Sequence, residues 1–292
     1  MIEKKQYQIV FNIILMLGTL VMVMPLLLMF ISSVTDENSL VANGYSFFPA
    51  RFSLGAYGYI LSNSQMILRA YGITVFATAA GTFISLVITA MMSFPLSLKE
   101  LPGKNVISFF VFFTMLFNGG LVPSYILWTN LGVTNTLWAY VFPFLLTNAF
   151  SIIMVRTYFT SVIPYEIYES AKIDGAGYFK IFRKIVLPLG KPILVTIGLF
   201  TGLLYWNDWL NGLYFVSNAN LLSIQALLNK MMQNIQAMIT YANNLNTSTT
   251  VSLPQVSIRM AIAFVAILPI LVLYPFLQKY FAEGIMLGAV KG

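Results

Sequence analysis

Apolar runs long enough to cross a lipid bilayer alternate with short polar breaks along nearly the whole chain. No charge falls between Lys5 and Asp36, which leaves more than the roughly 20 residues a crossing helix needs. The pattern predicts a first span at 9–33, kinked at Pro25. A second span is expected at 69–98. Its Gly72, Ala77, Ala79, Ala80, Gly81 and Ser85 form a small-residue face of the kind that lets helix backbones approach closely in lipid. Residues 105–155 carry no charge and are too long for one helix. The polar break at 129–135 divides them into a third span at about 106–127 and a fourth at about 137–159. A fifth span is read at 193–215 and a sixth at about 256–276. The stretches 35–68 and 216–255 read as long external loops, and 278–292 as a short tail.

Composition agrees. Of 292 residues, 59% are hydrophobic and 9% are charged, with a mean hydropathy of +0.82. Soluble domains carry about 25% charged residues, so this chain reads as one all-α, polytopic membrane domain over 1–292. It has neither Cys nor His. That removes disulfides, thiolate chemistry, the usual soft metal sites and His-based triads. No catalytic residue and no metal ligand set is read from the sequence.

Six spans place both termini on one side, and the bases choose which. With the N-terminus inside, the inner set is Lys4, Lys5, Lys99, Lys104, Arg156, Lys172, Lys180, Arg183, Lys184, Lys191, Lys279 and Lys291. The outer set is Arg51, Arg69, Lys230 and Arg259. The excess of inner bases predicts cytoplasmic termini in a multi-pass membrane protein. The net charge of +7 is read as this topology signal and not as a sign of nucleic-acid binding.

One segment breaks the apolar pattern. Residues 160–192 carry Glu166, Glu169, Asp174, Lys172, Lys180, Arg183, Lys184 and Lys191. Pro164 suits the first turn of a helix, and Glu166 and Glu169 then lie near the positive end of its dipole. Ile167, Ala171 and Asp174 recur on one face, and Gly175 can take the left-handed conformation that ends a helix. Phe179, Phe182, Ile185 and Val186 form a second apolar stripe, stopped by Pro188 and Pro192. The expectation is two short helices at the cytoplasmic surface, of a length and order that usually carry function.

These residues resemble a known family. Glu169-Ser170-Ala171-Lys172-Ile173-Asp174-Gly175-Ala176, followed by Ile185-Val186-Leu187-Pro188, is similar to the EAA loop of ABC importer permeases. The similarity is nearest to the carbohydrate-uptake subfamily typified by the second maltose-transporter permease. Phe117-Asn118-Gly119-Gly120-Leu121-Val122-Pro123 and the ending Gly288-Ala289-Val290-Lys291-Gly292 resemble its oligosaccharide branch. The family pattern has Ala where Ser170 stands. The resemblance implies a type I ABC importer permease fold of six transmembrane helices. It implies that Glu169, Ser170, Ala171, Asp174, Gly175 and Ala176 couple to a cytoplasmic ATPase, with Glu169 meeting a basic group or helix end. Implied partners are a second homologous permease, two ATPase subunits, an external solute-binding protein, the carbohydrate and the lipid membrane. The tail 278–292 would reach the ATPase pair. No cofactor is expected in this chain, ATP and Mg being held by the ATPases. The chain itself has no Walker A pattern.

The fifth span is unusual in carrying Trp206-Asn207-Asp208-Trp209. A bare charge at mid-bilayer costs about 2.5–3.5 kcal/mol, so Asp208 must face protein or water. With Tyr205, this cluster offers aromatic faces and a few polar groups, the chemistry a sugar path requires. The plainer reading is an interfacial aromatic belt with a solvated acid. Asn118 and Asn148 are further path candidates, and inter-helix hydrogen bonding is their plainer reading. An ion- or proton-coupled secondary transporter is the alternative function, but Asp208 is the one acid placed in a span and no internal repeat is present. An intramembrane enzyme would need a carboxylate pair or a Ser-Lys arrangement, and no two carboxylates fall within the spans.

Overall fold

The computed structural model describes residues 2–62, 64–244 and 256–289. Val290, Lys291 and Gly292 of the tail, and residues 245–255 of the second external loop, lie outside the described residues. The described residues are predominantly helical, and their only pairing of extended chain is one isolated bridge between Thr35 and Phe52. The chain divides into two compact units, Met1–Leu68 with Leu227–Val272 and Arg69–Ala226 with Leu273–Gly292.

In the first unit, α1 (Ile2–Ser33) continues through Pro25, and its segment Tyr7–Ser33 is long and apolar enough to cross a membrane. Its apolar side chains from Tyr7 to Leu27 are almost all exposed, as a lipid-facing helix requires. Both stretches expected as external loops are partly helical where described, the second holding the 21-residue α13 (Ile224–Asn244). Asp36 caps α2 (Glu37–Asn43) by accepting from Ser39 N at 3.3 Å, and α3 (Gly55–Ser62) follows. Glu37 accepts from the backbone N–H groups of Val256 and Ser257, each at 2.9 Å, and from Ser257 Oγ at 2.7 Å. It thereby satisfies the free donors at the start of α14 (Val256–Ala289) and places an anion at the positive end of its dipole. That helix runs on from the sixth expected span through most of the expected tail, as 34 residues.

In the second unit the organising helix is α4 (Ser64–Ser97). Its buried face is a ladder of small residues, including Ala70, Thr74, Ala77, Gly81, Ser85, Thr89 and Ser93, near the helical repeat. Of the small-residue face expected from sequence, Ala77, Gly81 and Ser85 are buried, while Gly72 and Ala79 are exposed because they lie off the helical repeat of the buried ladder; Gly81 receives α11 (Lys191–Trp206). A Cβ at Gly81 would land inside the Tyr205 ring, so only glycine allows that approach.

Three of the expected spans are not continuous helices. The third is α5 (Lys104–Leu116) and α6 (Leu121–Asn130), bent by 112° at their junction. Asn118 Oδ1 accepts from Gly120 N at 2.8 Å, a local turn that competes with helix, and Pro123 then suits the first turn of α6. The fourth begins as a 3-10 turn at Leu137–Tyr140, passes through irregular chain and resumes as α7 (Ala149–Val162). At about 1.5 Å per residue, the 14 residues of α7 reach only about 21 Å, short of a full crossing. Phe144 sits at φ 59 just after Pro143, and no helix continues through a left-handed residue. The fifth breaks at 207–209 between α11 and α12 (Leu210–Phe215). Among the described residues, two helices are long and apolar enough to cross, and four if α5 with α6, and the helical run Tyr178–Leu189 with α11 (bent by 76°), each count as one span.

The polar segment forms two helical pieces, as expected. The first is α8 (Tyr165–Ile173). The second runs from α9 (Tyr178–Ile181) through a π-helical turn at Phe182–Val186 to α10 (Leu187–Leu189). The π turn arises where Leu187 N–H reaches back to Phe182 O and Pro188 has no N–H to give. It shifts the buried stripe. Ile181 and Val186 are fully inside, Phe182 and Ile185 are half-buried, and Phe179, expected in the stripe, is 72% exposed.

Candidate functional site

The candidate docking helix α8 is held by one face. Tyr168 and Ala171 are buried in a cluster with Phe94 of α4, Leu98 just beyond its end, Val155 and Phe159 of α7, and Ile193 and Ile197 of α11. Three helices therefore share one apolar node beneath α8. Its end is a Schellman turn. Ala176 N donates to Ala171 O at 2.9 Å and Gly175 N to Lys172 O at 3.0 Å, with Gly175 at φ 73. This is the left-handed stop expected of Gly175. The opposite face is open: Glu166, Glu169 and Ser170 are exposed and Ile173 is 86% exposed, and Asp174, expected to share a face with Ala171, is exposed while Ala171 is buried, because Asp174 is already the cap of the helix. Ser170 Oγ turns back to Ile167 O at 3.1 Å, so its replacement of Ala leaves no outward hydroxyl to satisfy. Sequence reasoning missed Ile173, whose exposure follows from its place between Glu169 and Asp174 on the outer face.

It also missed what fixes α8 sideways. Glu100, in the turn between α4 and α5, accepts hydrogen bonds from Lys172 Nζ and from Tyr165 Oη. Lys99 stands 4.6 Å over the Tyr165 ring, and Lys172 lies 5.3 Å from the Tyr178 ring. The Lys172 hydrogen bond, then that of Tyr165, holds the Glu100 carboxyl below its ordinary range. Reciprocally, the bond to Glu100 pushes the Lys172 ammonium and the Tyr165 phenol up. An oppositely charged pair on two polar segments was the available sequence signal, but their spacing in the chain hid it.

The fifth-span cluster divides by burial. Tyr205, Trp206 and Asp208 turn inward at 2%, 8% and 8% exposure, while Asn207 and Trp209 face out. Tyr205 Oη donates to Val141 O at 2.9 Å, and the unforeseen Asn211 donates from Nδ2 to Pro143 O at 3.0 Å. Tyr140 Oη accepts from Ser223 N at 3.0 Å. Tyr205 and Asn211 supply partners to the irregular backbone of 137–148, and Tyr140 to that of Ser223, groups that apolar surroundings would otherwise leave unsatisfied. Asp208 Oδ1 accepts from Asn211 N at 3.1 Å and so caps the start of α12, while Oδ2 has no partner among the described residues. A cavity of about 430 Å³ opens beside this break, lined by Leu145, Phe200, Leu203, Leu204, Asn207, Asp208, Trp209 and Leu210. Asn118 and Asn148 are exposed and use their Oδ1 atoms locally, Asn148 capping α7 through Ser151 N at 3.1 Å. They are not brought to this cavity, whose lining includes neither. No group of three or more acidic side chains suited to a metal ion occurs among the described residues.

Exposed apolar helices, and a polar segment with one face buried and the other open, define a helical membrane protein. Residues 74–286 match the family described as the binding-protein-dependent transport system inner membrane component, and the chain belongs to that family. It is 36% identical over 270 residues to Protein LplC of Bacillus subtilis, covering 92% of this chain and 90% of that one. It is 35% identical over 278 residues to the polygalacturonan/rhamnogalacturonan transport system permease protein YtcP of the same organism, covering 95% and 96%. The fold is similar to a chain of a bacterial ABC transporter involved in the import of the acidic polysaccharide alginate. The TM-score is 0.78 at 28% identity, over 95% of this chain and 97% of that one. The resemblance read from the polar segment thus leads to the right family.

Proposed function

We propose that this chain is the non-catalytic permease subunit of an ATP-driven importer of carbohydrate oligomers in a bacterial cell membrane. It crosses six times, α5 with α6, α7 with its irregular lead-in, and α11 with α12 each serving as one crossing, and both termini are cytoplasmic. It pairs with a second permease, two cytoplasmic ATPases and an external binding protein. The family match supports the class, and the polymers named for YtcP and for the solved transporter support the substrate.

The observation that carries the reading is the seating of α8. One face is buried on the node shared by α4, α7 and α11, and the other presents Glu169, Ile173 and Asp174 to solvent. A partner that pushes on the open face moves the node, and with it three membrane helices. Alternating access by rigid-body rocking needs such a handle. Ser170, Ala171, Gly175 and Ala176 shape that handle: Ala171 keeps the helix close to the node and Gly175 ends it. Bound ATP and Mg belong to the partner. On the far side, Asn207 and Trp209 line the sugar path, while Tyr205, Trp206 and Asp208 hold its wall.

The test is uptake of labelled oligogalacturonide by vesicles bearing the assembled transporter and binding protein. Uptake that requires internal ATP and survives collapse of ion gradients is expected. Uptake driven by an ion gradient without ATP would favour a secondary transporter and overturn the reading.

A further inference from the structure

Two bases meet at one end of the α5–α7 seam. Lys104 opens α5, and its Nζ donates to Leu98 O at 2.9 Å. Arg156 lies on α7, and its Nη1 reaches Ser108 Oγ, one turn beyond Lys104, at 3.4 Å. Both bases are half-buried, and among the described residues neither has a carboxylate partner. Beyond the bases the seam turns to hydrocarbon. Val111 is buried against Ile152, while Ile107, Phe112 and Met115 stay 42%, 47% and 49% exposed.

We propose that Lys104, Arg156 and Ser108 bind the phosphate headgroup of an anionic phospholipid, whose acyl chain lies along the exposed face of α5. The argument is charge complementarity joined to apolar continuity. A cation within or beside a span needs a counter-charge, and basic pockets between helices at the cytoplasmic boundary suit anionic headgroups. From Lys104 to Met115 the helix rises about 16 Å, room for much of one acyl chain. The proposal rests on the reading that this end of α5 is at the inner membrane boundary. Lipid retention, however, requires neither ATP nor sugar, so its failure is separable from failure of the transport reading.

The experiment is native mass spectrometry of the assembled transporter, released from detergent after titration with phosphatidylglycerol or phosphatidylcholine. Phosphatidylglycerol is expected to be retained in preference. Retention should fall roughly fivefold for Lys104→Gln and again for the added Arg156→Gln. Arg156→Lys should keep most of it. If the double variant does not assemble, the Lys104→Gln loss alone carries the test. Equal retention of both lipids, or unchanged retention in Lys104→Gln, overturns the proposal. Displacement of the lipid by millimolar inorganic phosphate would assign the site to free phosphate instead. Loss of the second permease from Arg156→Gln with lipid adducts intact would assign the face to a subunit contact.

Discussion

Lys172 donates to Glu100 across 72 residues of sequence and ties the docking helix to the turn between α4 and α5. A hinge at α8 would let a partner's push dissipate, and this pair, with Tyr165, stiffens it. Glu100→Gln is expected to raise hydrogen exchange in Tyr165–Ile173 without unfolding the rest, and the double reversal Glu100→Lys with Lys172→Glu to restore protection in part. The link also has a pH window. Glu100 is depressed, so its contribution is full above about pH 4.3 and is lost as pH falls through its folded value. Lys172 is raised, so its contribution is full below about pH 10.4 and is lost as pH rises through its folded value. Exchange in α8 should therefore be lowest, after correction for intrinsic rates, between those limits.

Gly81 accepts the Tyr205 ring with no room for a Cβ. Gly81→Ala should destabilise the protein by about 1–3 kcal/mol through overpacking. Tyr205→Phe keeps the ring and loses only the bond to Val141 O, a cost of about 0.5–1.5 kcal/mol. Thermal unfolding of the purified protein measures both, and equal stability of wild type and Gly81→Ala would show that α4 and α11 are not packed this closely.

Glu37 serves as the N-terminal cap of α14 from a distant part of the chain. Glu37→Ala should cost about 0.5–2 kcal/mol, the usual range for a lost cap. Faster exchange should appear first at Val256 and Ser257. Exchange that is unchanged there would mean the cap is dispensable.

Burial separates two roles that sequence alone runs together in 205–211. Asn207→Ala and Trp209→Ala, both exposed, should lower sugar-stimulated ATP turnover while leaving the melting temperature within about 1 °C, since surface changes are nearly neutral to stability. Asn211→Ala, fully buried, leaves Pro143 O without its donor and should cost about 1–3 kcal/mol. Normal sugar stimulation in the Asn207 and Trp209 variants would remove this break from the path.

The hydrophobic pattern sufficed for the class and for the polar segment, because charge is scarce and Gly175 has few conformational uses next to a helix end. It failed inside the third, fourth and fifth spans for one physical reason. Hydropathy counts burial and not helix, and apolar chain can be irregular when side chains such as Tyr205 and Asn211 supply its hydrogen bonds. The same blindness hid Glu100 and Glu37, whose partners lie 72 and 219–220 residues away. Ile173 was legible as an apolar residue but not as an exposed one, since only the seating of Tyr168 and Ala171 decides which way α8 faces.

The central claim, that the open face of α8 receives an ATPase subunit, is tested most directly by Glu169→Lys. Glu169 is exposed and its change should not disturb the fold. The measurement is the amount of ATPase that co-purifies with the tagged permease, read beside the permease's melting temperature. Loss of most of the ATPase at an unchanged melting temperature is the result expected. Full ATPase recovery, with uptake intact, would contradict the account.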